Sequence, residues 1–168
     1  RKLLECDFVI QDAVRILRRV HLGELPFDRT VQVSVTDHLE KEQIMGRFPH
    51  NLRTLDVLLK RNRKDYQTAA GKSFKASERK EAWRRLGRQR RRAVRLVEEL
   101  GLRTQRIEQK IRTLEEFSRR VDELRAKIIA SKANRGPLDE RQKLISDFRK
   151  ILVACQEAPP SLRKRVAY

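Results

Sequence analysis

Seven apolar residues, Ile107, Ile111, Leu114, Phe117, Val121, Leu124 and Ile128, recur at steps of four, three, three, four, three and four. Only an α-helix places residues so spaced on one face, and three heptads of such a seam demand a partner surface along its length. With Thr104 as N-cap, the pattern predicts a helix to about Ala133, roughly 45 Å long at 1.5 Å per residue.

Glycine and proline punctuate the remainder. Gly23 and Pro26, Pro49, Gly71, Gly101, Gly136 with Pro137, and Pro159 with Pro160 divide the chain into long segments. From Leu3 to Leu22, Cys6, Ile10, Ala13, Leu17 and Val20 form a stripe widened by Phe8, Val9, Val14 and Ile16. A helix apolar over that much of its girth expects neighbours on several sides, and Gly23 is placed to end it. Residues 25–35 read as an extended connector in which Val31 to Val35 alternate as a strand would, with no second strand to pair with. Thr36 with Asp37 predicts a helix start; the pattern is interrupted at Pro49 and resumes to about Ala70. A polar linker spans 71–76. Ser77 caps a basic helix to Leu100 whose inner stripe is Trp83, Leu86, Arg90, Ala93 or Val94, Val97 and Leu100. Leu144, Ile145, Phe148, Ile151, Leu152 and Cys155 form the inner face of a last long helix, and Ser161 caps one more.

The expected fold class is all-α: an elongated helical domain with a long antiparallel hairpin packed on a smaller bundle. The parts would be N-terminal helices over 1–70, the linker at 71–76, the hairpin over 77–133 because few residues separate its helices, and a C-terminal portion over 137–168. The chain opens on Arg1 and closes within a charged run, so it reads as a piece of a longer protein.

Chemistry is sparse. His21, His38 and His50 are scattered without Cys, Asp or a second His at ligand spacing, and there is no glycine-rich phosphate loop. The reading is therefore no enzyme, no catalytic residue, no metal, no cofactor and no small-molecule substrate. Cys6 and Cys155 sit in apolar helical settings and read as small buried hydrophobes. No apolar run reaches the roughly 18 residues that span a bilayer, so no membrane role is expected and the cytoplasm is the default location.

Charge says more. Lys and Arg total 41 against 23 Asp and Glu, a net charge of +18, and such a field draws polyanions. Arg84, Arg85, Arg88, Arg90, Arg91, Arg92 and Arg95 crowd one helix. At 100° per residue, Arg84, Arg88, Arg91, Arg92 and Arg95 share a face. Close like charges repel, so an anion should lie against it. Glu108, Glu115 and Glu116 of the next helix, a nucleic-acid phosphate backbone and an acidic protein surface all fit. The candidate nucleic-acid or acidic-partner residues are Arg84, Arg85, Arg88, Arg91, Arg92 and Arg95. With no zinc finger or helix-turn-helix pattern and few aromatics, contact would be sequence-independent.

Three stretches carry a resemblance. They are Cys6 to Thr30 (CDFVIQDAVRILRRVHLGELPFDRT), Gly46 to Leu59 (GRFPHNLRTLDVLL), and Arg95 to Ile107 (RLVEELGLRTQRI) with Phe117 to Ile128 (FSRRVDELRAKI). Together they resemble a primary (housekeeping) sigma factor of bacterial RNA polymerase, in the non-conserved helical segment between regions 1.2 and 2.1. The resemblance implies a transcription initiation factor whose partners are the RNA polymerase core and, weakly and non-specifically, the promoter DNA backbone. This segment would be a scaffold between promoter-reading regions that lie outside it. The competing expectation is a basic coiled-coil module that docks on an acidic protein and ignores DNA.

Overall fold

The computed structural model describes residues 2–33 and 40–167. Seven α-helices and one 3-10 turn make up the described regular structure, and an isolated bridge is its only β pairing. The expected all-α class is what forms.

Helix α1 (Asp7–His21) is the central rod. Val9, Ile10, Ala13 and Leu17 are fully buried, and helices later in the chain touch it on several sides, as its wide stripe requires. It ends where glycine predicts. Gly23 takes φ +76°, the N–H of Glu24 donates to the Arg19 carbonyl and that of Gly23 to Val20, closing a Schellman motif.

The connector is only partly extended. Phe27–Thr30 form one short helix, α2, with Phe27 and Thr30 buried. Val31 then pairs antiparallel with Leu102, a partner invisible in sequence because it lies at the far end of the basic helix. Arg103 secures the junction by donating to the carbonyls of Val31 (3.2 Å) and Asp28 (3.0 Å), and Arg106 donates to Arg29 O. The helix start expected at Thr36 and Asp37 falls outside the described residues.

Helix α3 (Lys41–Ala70) passes straight through Pro49, where an interruption is expected. Proline removes the bond to the Met45 carbonyl and costs about 3 kcal/mol in a helix interior. Phe48, Leu52 and Leu55 flank it and are all buried. At about 1.5–3 kcal/mol each they outweigh that penalty. The helix opens at Glu40, whose N–H donates to the Gln43 side chain at 3.1 Å.

Helix α4 (Ala76–Glu99) starts one residue before the expected cap: Lys75 is the N-cap, and its N–H donates to Glu78 at 2.8 Å. Residues 71–75 are the turn of a hairpin rather than a linker, because α4 packs antiparallel along α3. Arg79 reaches the Ala69 carbonyl near the turn, and Glu99 accepts from Asn51 at the far end. This corrects the expected hairpin over 77–133: α4 pairs with α3, and helix α5 (Glu108–Ala133), entered through the 3-10 turn Thr104–Arg106, pairs with α6 (Leu138–Cys155). The chain between α4 and α5 is tethered to residues 30–32 through the Val31 bridge and Gly101 (φ +67°), which sends α5 to α1, α6 and α7 (Pro159–Val166) instead. Ser161 lies inside the first turn of α7, whose N-cap is Ala158.

The seam of α5 is used as its spacing demands. Leu114, Val121 and Leu124 are buried, and Ile107 just before the helix is 3% exposed. Phe117 meets the Phe8 ring at 5.3 Å. The α5–α6 hairpin leaves Ile129 and Leu138 exposed at its tip.

Candidate nucleic-acid interface

The basic helix is held in phase by a buried ion cluster. Arg90 is 3% exposed among Leu86, Ala93, Val94 and Val97. Its Nε donates to Asp7 Oδ2 at 2.5 Å, Nη1 to Glu157 Oε1 at 3.1 Å and Nη2 to the Gln156 carbonyl at 2.6 Å. Asn62 donates to the other Asp7 oxygen at 2.6 Å. Glu157 also accepts from Ser161 and Arg165. Two cations and two anions, with the Asn62 amide of α3, thus join α1, α3, α4 and α7. Burial works to lower the Arg90 pKa, but the charges of Asp7 and Glu157 prevail and hold it above its ordinary value.

With Arg90 turned inward, the other arginines sort by angle. Arg85 faces α3, where Nε and Nη2 both donate to Asp65 Oδ1 (3.1 and 2.8 Å) and Gln89 donates to Oδ2. The hydrogen bond to Asp65, then its charge, raises the Arg85 pKa. Arg85 therefore belongs to the hairpin seam, which removes it from the outer face. Arg84 and Arg88 point outward and share Glu81, at 3.7 and 3.2 Å. Arg91, Arg92 and Arg95 are exposed and meet no carboxylate within ion-pair distance among the described residues. Arg91 and Arg95 border a shallow hollow with Glu5, whose carboxylate is engaged by Arg165 at 3.7 Å. Glu108, Glu115 and Glu116 pair with none of the α4 arginines, since α4 and α5 are not hairpin partners. The cancellation of this face by the neighbouring helix therefore does not occur. Asp122 likewise turns to Arg163, whose Nε and Nη2 both donate to Oδ1 at 2.8 and 2.5 Å, rather than to Arg125.

Sequence reasoning placed Arg90 on the inner stripe but missed its partners. The signal was present at both ends: Asp7 follows Cys6 on the buried side of α1, and a charged residue on an apolar stripe needs an opposite charge.

No cluster of His, Cys, Asp and Glu suited to a metal occurs among the described residues. His21 stacks on Phe48 at 6.0 Å. No described helix is long and apolar enough to cross a membrane. Cys6 and Cys155 are buried neighbours, the Cys6 thiol donating toward the Cys155 carbonyl at 3.5 Å. Burial, then the charge of Glu157, pushes the Cys6 thiol up to about 12. Burial pushes Cys155 up as well, and raises Tyr66 to about 12.

These three groups give a prediction. Each favours its neutral form when folded, so the unfolded chain releases the proton first. Their stabilisation is complete below about pH 9 and is lost as pH rises through about 12. Urea unfolding should give a lower midpoint at about pH 10.5 than at about pH 8. An aromatic disulfide reagent should modify both thiols no faster than the protein opens.

No family model matches the sequence, and no curated protein or solved structure matches it either.

Proposed function

We propose that this chain is a non-catalytic segment of a transcription initiation (sigma) factor, a helical scaffold between promoter-reading regions that contacts the RNA polymerase core and touches the DNA backbone without reading sequence. The observation that carries the DNA contact is the outer face of α4. Arg91, Arg92 and Arg95 stand exposed without a carboxylate among the described residues, beside Arg84 and Arg88, on a helix that Arg90 locks against rotation. A row of guanidiniums on a rigid rod suits a phosphate backbone, where each contact releases condensed counterions.

Fluorescence anisotropy with labelled duplexes of unrelated sequence tests this. Binding should be weak and alike for all duplexes, and should fall steeply with salt. Arg91→Glu, Arg92→Glu and Arg95→Glu together should weaken it at least tenfold. Neutralising them singly should flatten the log–log salt slope by about one each. Retained affinity in the triple variant, or binding indifferent to salt, removes the phosphate assignment.

A second reading has an observation of its own: Arg84 and Arg88 already clamp the carboxylate of Glu81, so the face also fits an acidic protein. Loss of core polymerase in a pull-down with the triple variant, with DNA retention unchanged, would favour that reading.

A further inference from the structure

A groove lies between the end of α3 and the outer side of α6, away from the arginine face. Its volume is about 780 Å³ and no residue of α4 lines it. Ala70, Leu152, Val153 and Ala154 give it an apolar floor, and Arg63 and Arg149 stand in its walls. Val153 is 62% exposed and stands beside half-buried Leu152, so the two present a continuous apolar strip to the groove. The hollow continues along α6 past Gln142, Ile145 and Ser146, sharing Arg149 and Val153. From 142 to 156 the floor runs about 21 Å at 1.5 Å per residue, four turns of helix.

Three features define what it accepts. Arg63 and Arg149 have no carboxylate partner among the described residues, and no Asp or Glu lines either part of the groove. Lys150 beside it is already turned to Asp147. The Gln156 side chain is 4% exposed, lines the groove, and its amide oxygen has no hydrogen-bond partner among the described residues. A buried amide oxygen without a protein donor leaves a polar demand at the groove's edge, which a water molecule can meet. Nucleic acid suits the site poorly: the one aromatic in its lining, Tyr66, is 6% exposed, donates to the Leu152 carbonyl at 3.0 Å and meets Trp83 edge-on, leaving no face for a base.

We infer that this groove binds an acidic amphipathic helix of a protein partner. Leucine-type side chains of that helix rest on Leu152 and Val153, and its carboxylates meet Arg63 and Arg149. This is helix-in-groove recognition with anchors at helical spacing. It stands on residues other than those of the DNA contact, so each can fail alone.

The probe is a fluorescein-labelled synthetic peptide of Leu and Glu arranged as an amphipathic helix, titrated with the intact chain in anisotropy. It should bind, and Val153→Ser or the pair Arg63→Glu with Arg149→Glu should each weaken it at least tenfold. A peptide of equal charge with Ser in place of Leu should bind at least tenfold more weakly. The triple α4 variant should bind the peptide as the parent does. Circular dichroism confirms that each variant keeps its helix. The inference is overturned if the Ser peptide binds equally well, if the groove variants leave peptide affinity unchanged, or if Val153→Ser lowers duplex DNA affinity instead.

Discussion

Replacing Arg90 with alanine should destabilise the protein by about 3–5 kcal/mol, the range for breaking a buried ion pair by removing one partner. The change strands the Asp7 and Glu157 carboxylates, both 0% exposed, and deletes three hydrogen bonds. Asp7 would retain only Asn62, while Glu157 would retain Ser161 and Arg165. Most of the loss is therefore expected at Asp7. A second variant separates charge from packing: Arg90→Met with Asp7→Leu removes cation and anion together, leaving Arg165 to balance Glu157. Such apolar replacements are often neutral or stabilising, so the pair should unfold at higher urea than Arg90→Ala alone. Equal midpoints for Arg90→Ala and the parent would show that the cluster adds nothing to stability. Because the same arginine fixes the rotation of α4, duplex binding by Arg90→Ala should weaken even where the protein remains folded.

That cluster marks a boundary of what the sequence discloses. The stripe on α4 places Arg90 inward, since period and phase are local properties of the chain. Its partner Asp7 is 83 residues away, and no local pattern names a contact at that range. The hairpin followed the same rule. Periodicity predicts α4 and α5 as rods and α3 as a helical stretch interrupted at Pro49, but rods joined by short turns can pair in two ways. The choice rests on Asp65 facing Arg85 and Gln89, and on the Val31–Leu102 bridge that holds the turn after α4. Gly23 and Gly101 were readable because a left-handed φ at a helix end is a local demand on one residue. Pro49 misleads for the opposite reason, since its local cost is overridden by the burial of Phe48, Leu52 and Leu55.

The candidate face shows the same split. Arg84, Arg88, Arg91, Arg92 and Arg95 point outward as their angular spacing requires, whereas Arg85 lies at the edge of that arc and is taken by Asp65. Which arginines are neutralised depends on the neighbouring helix, and the neighbour proved to be α3. Only then do Arg91, Arg92 and Arg95 emerge as the uncompensated part of the face.

Leu114→Ala should cost about 2–5 kcal/mol, and Ile129→Ala on the same helix no more than about 0.5 kcal/mol. Leu114 is fully buried in the central core beside the residues of α1, while Ile129 is 60% exposed near the tip of the α5–α6 hairpin. Truncating Leu114 leaves a cavity whose walls belong to several packed helices and cannot all close in. Truncating Ile129 uncovers surface already wet. Leu124→Ala supplies the intermediate test: it is fully buried yet lies outside the central cluster. Its side chain loses the same transfer energy as Leu114, but a site away from the central core relaxes more readily into the gap. Its cost should therefore fall toward the lower end of that range. Urea denaturation of the three variants orders them. If Leu114 and Ile129 cost the same, the seam does not face the core, and α5 owes its place to the ion pair of Asp122 with Arg163 and to the turns at its ends.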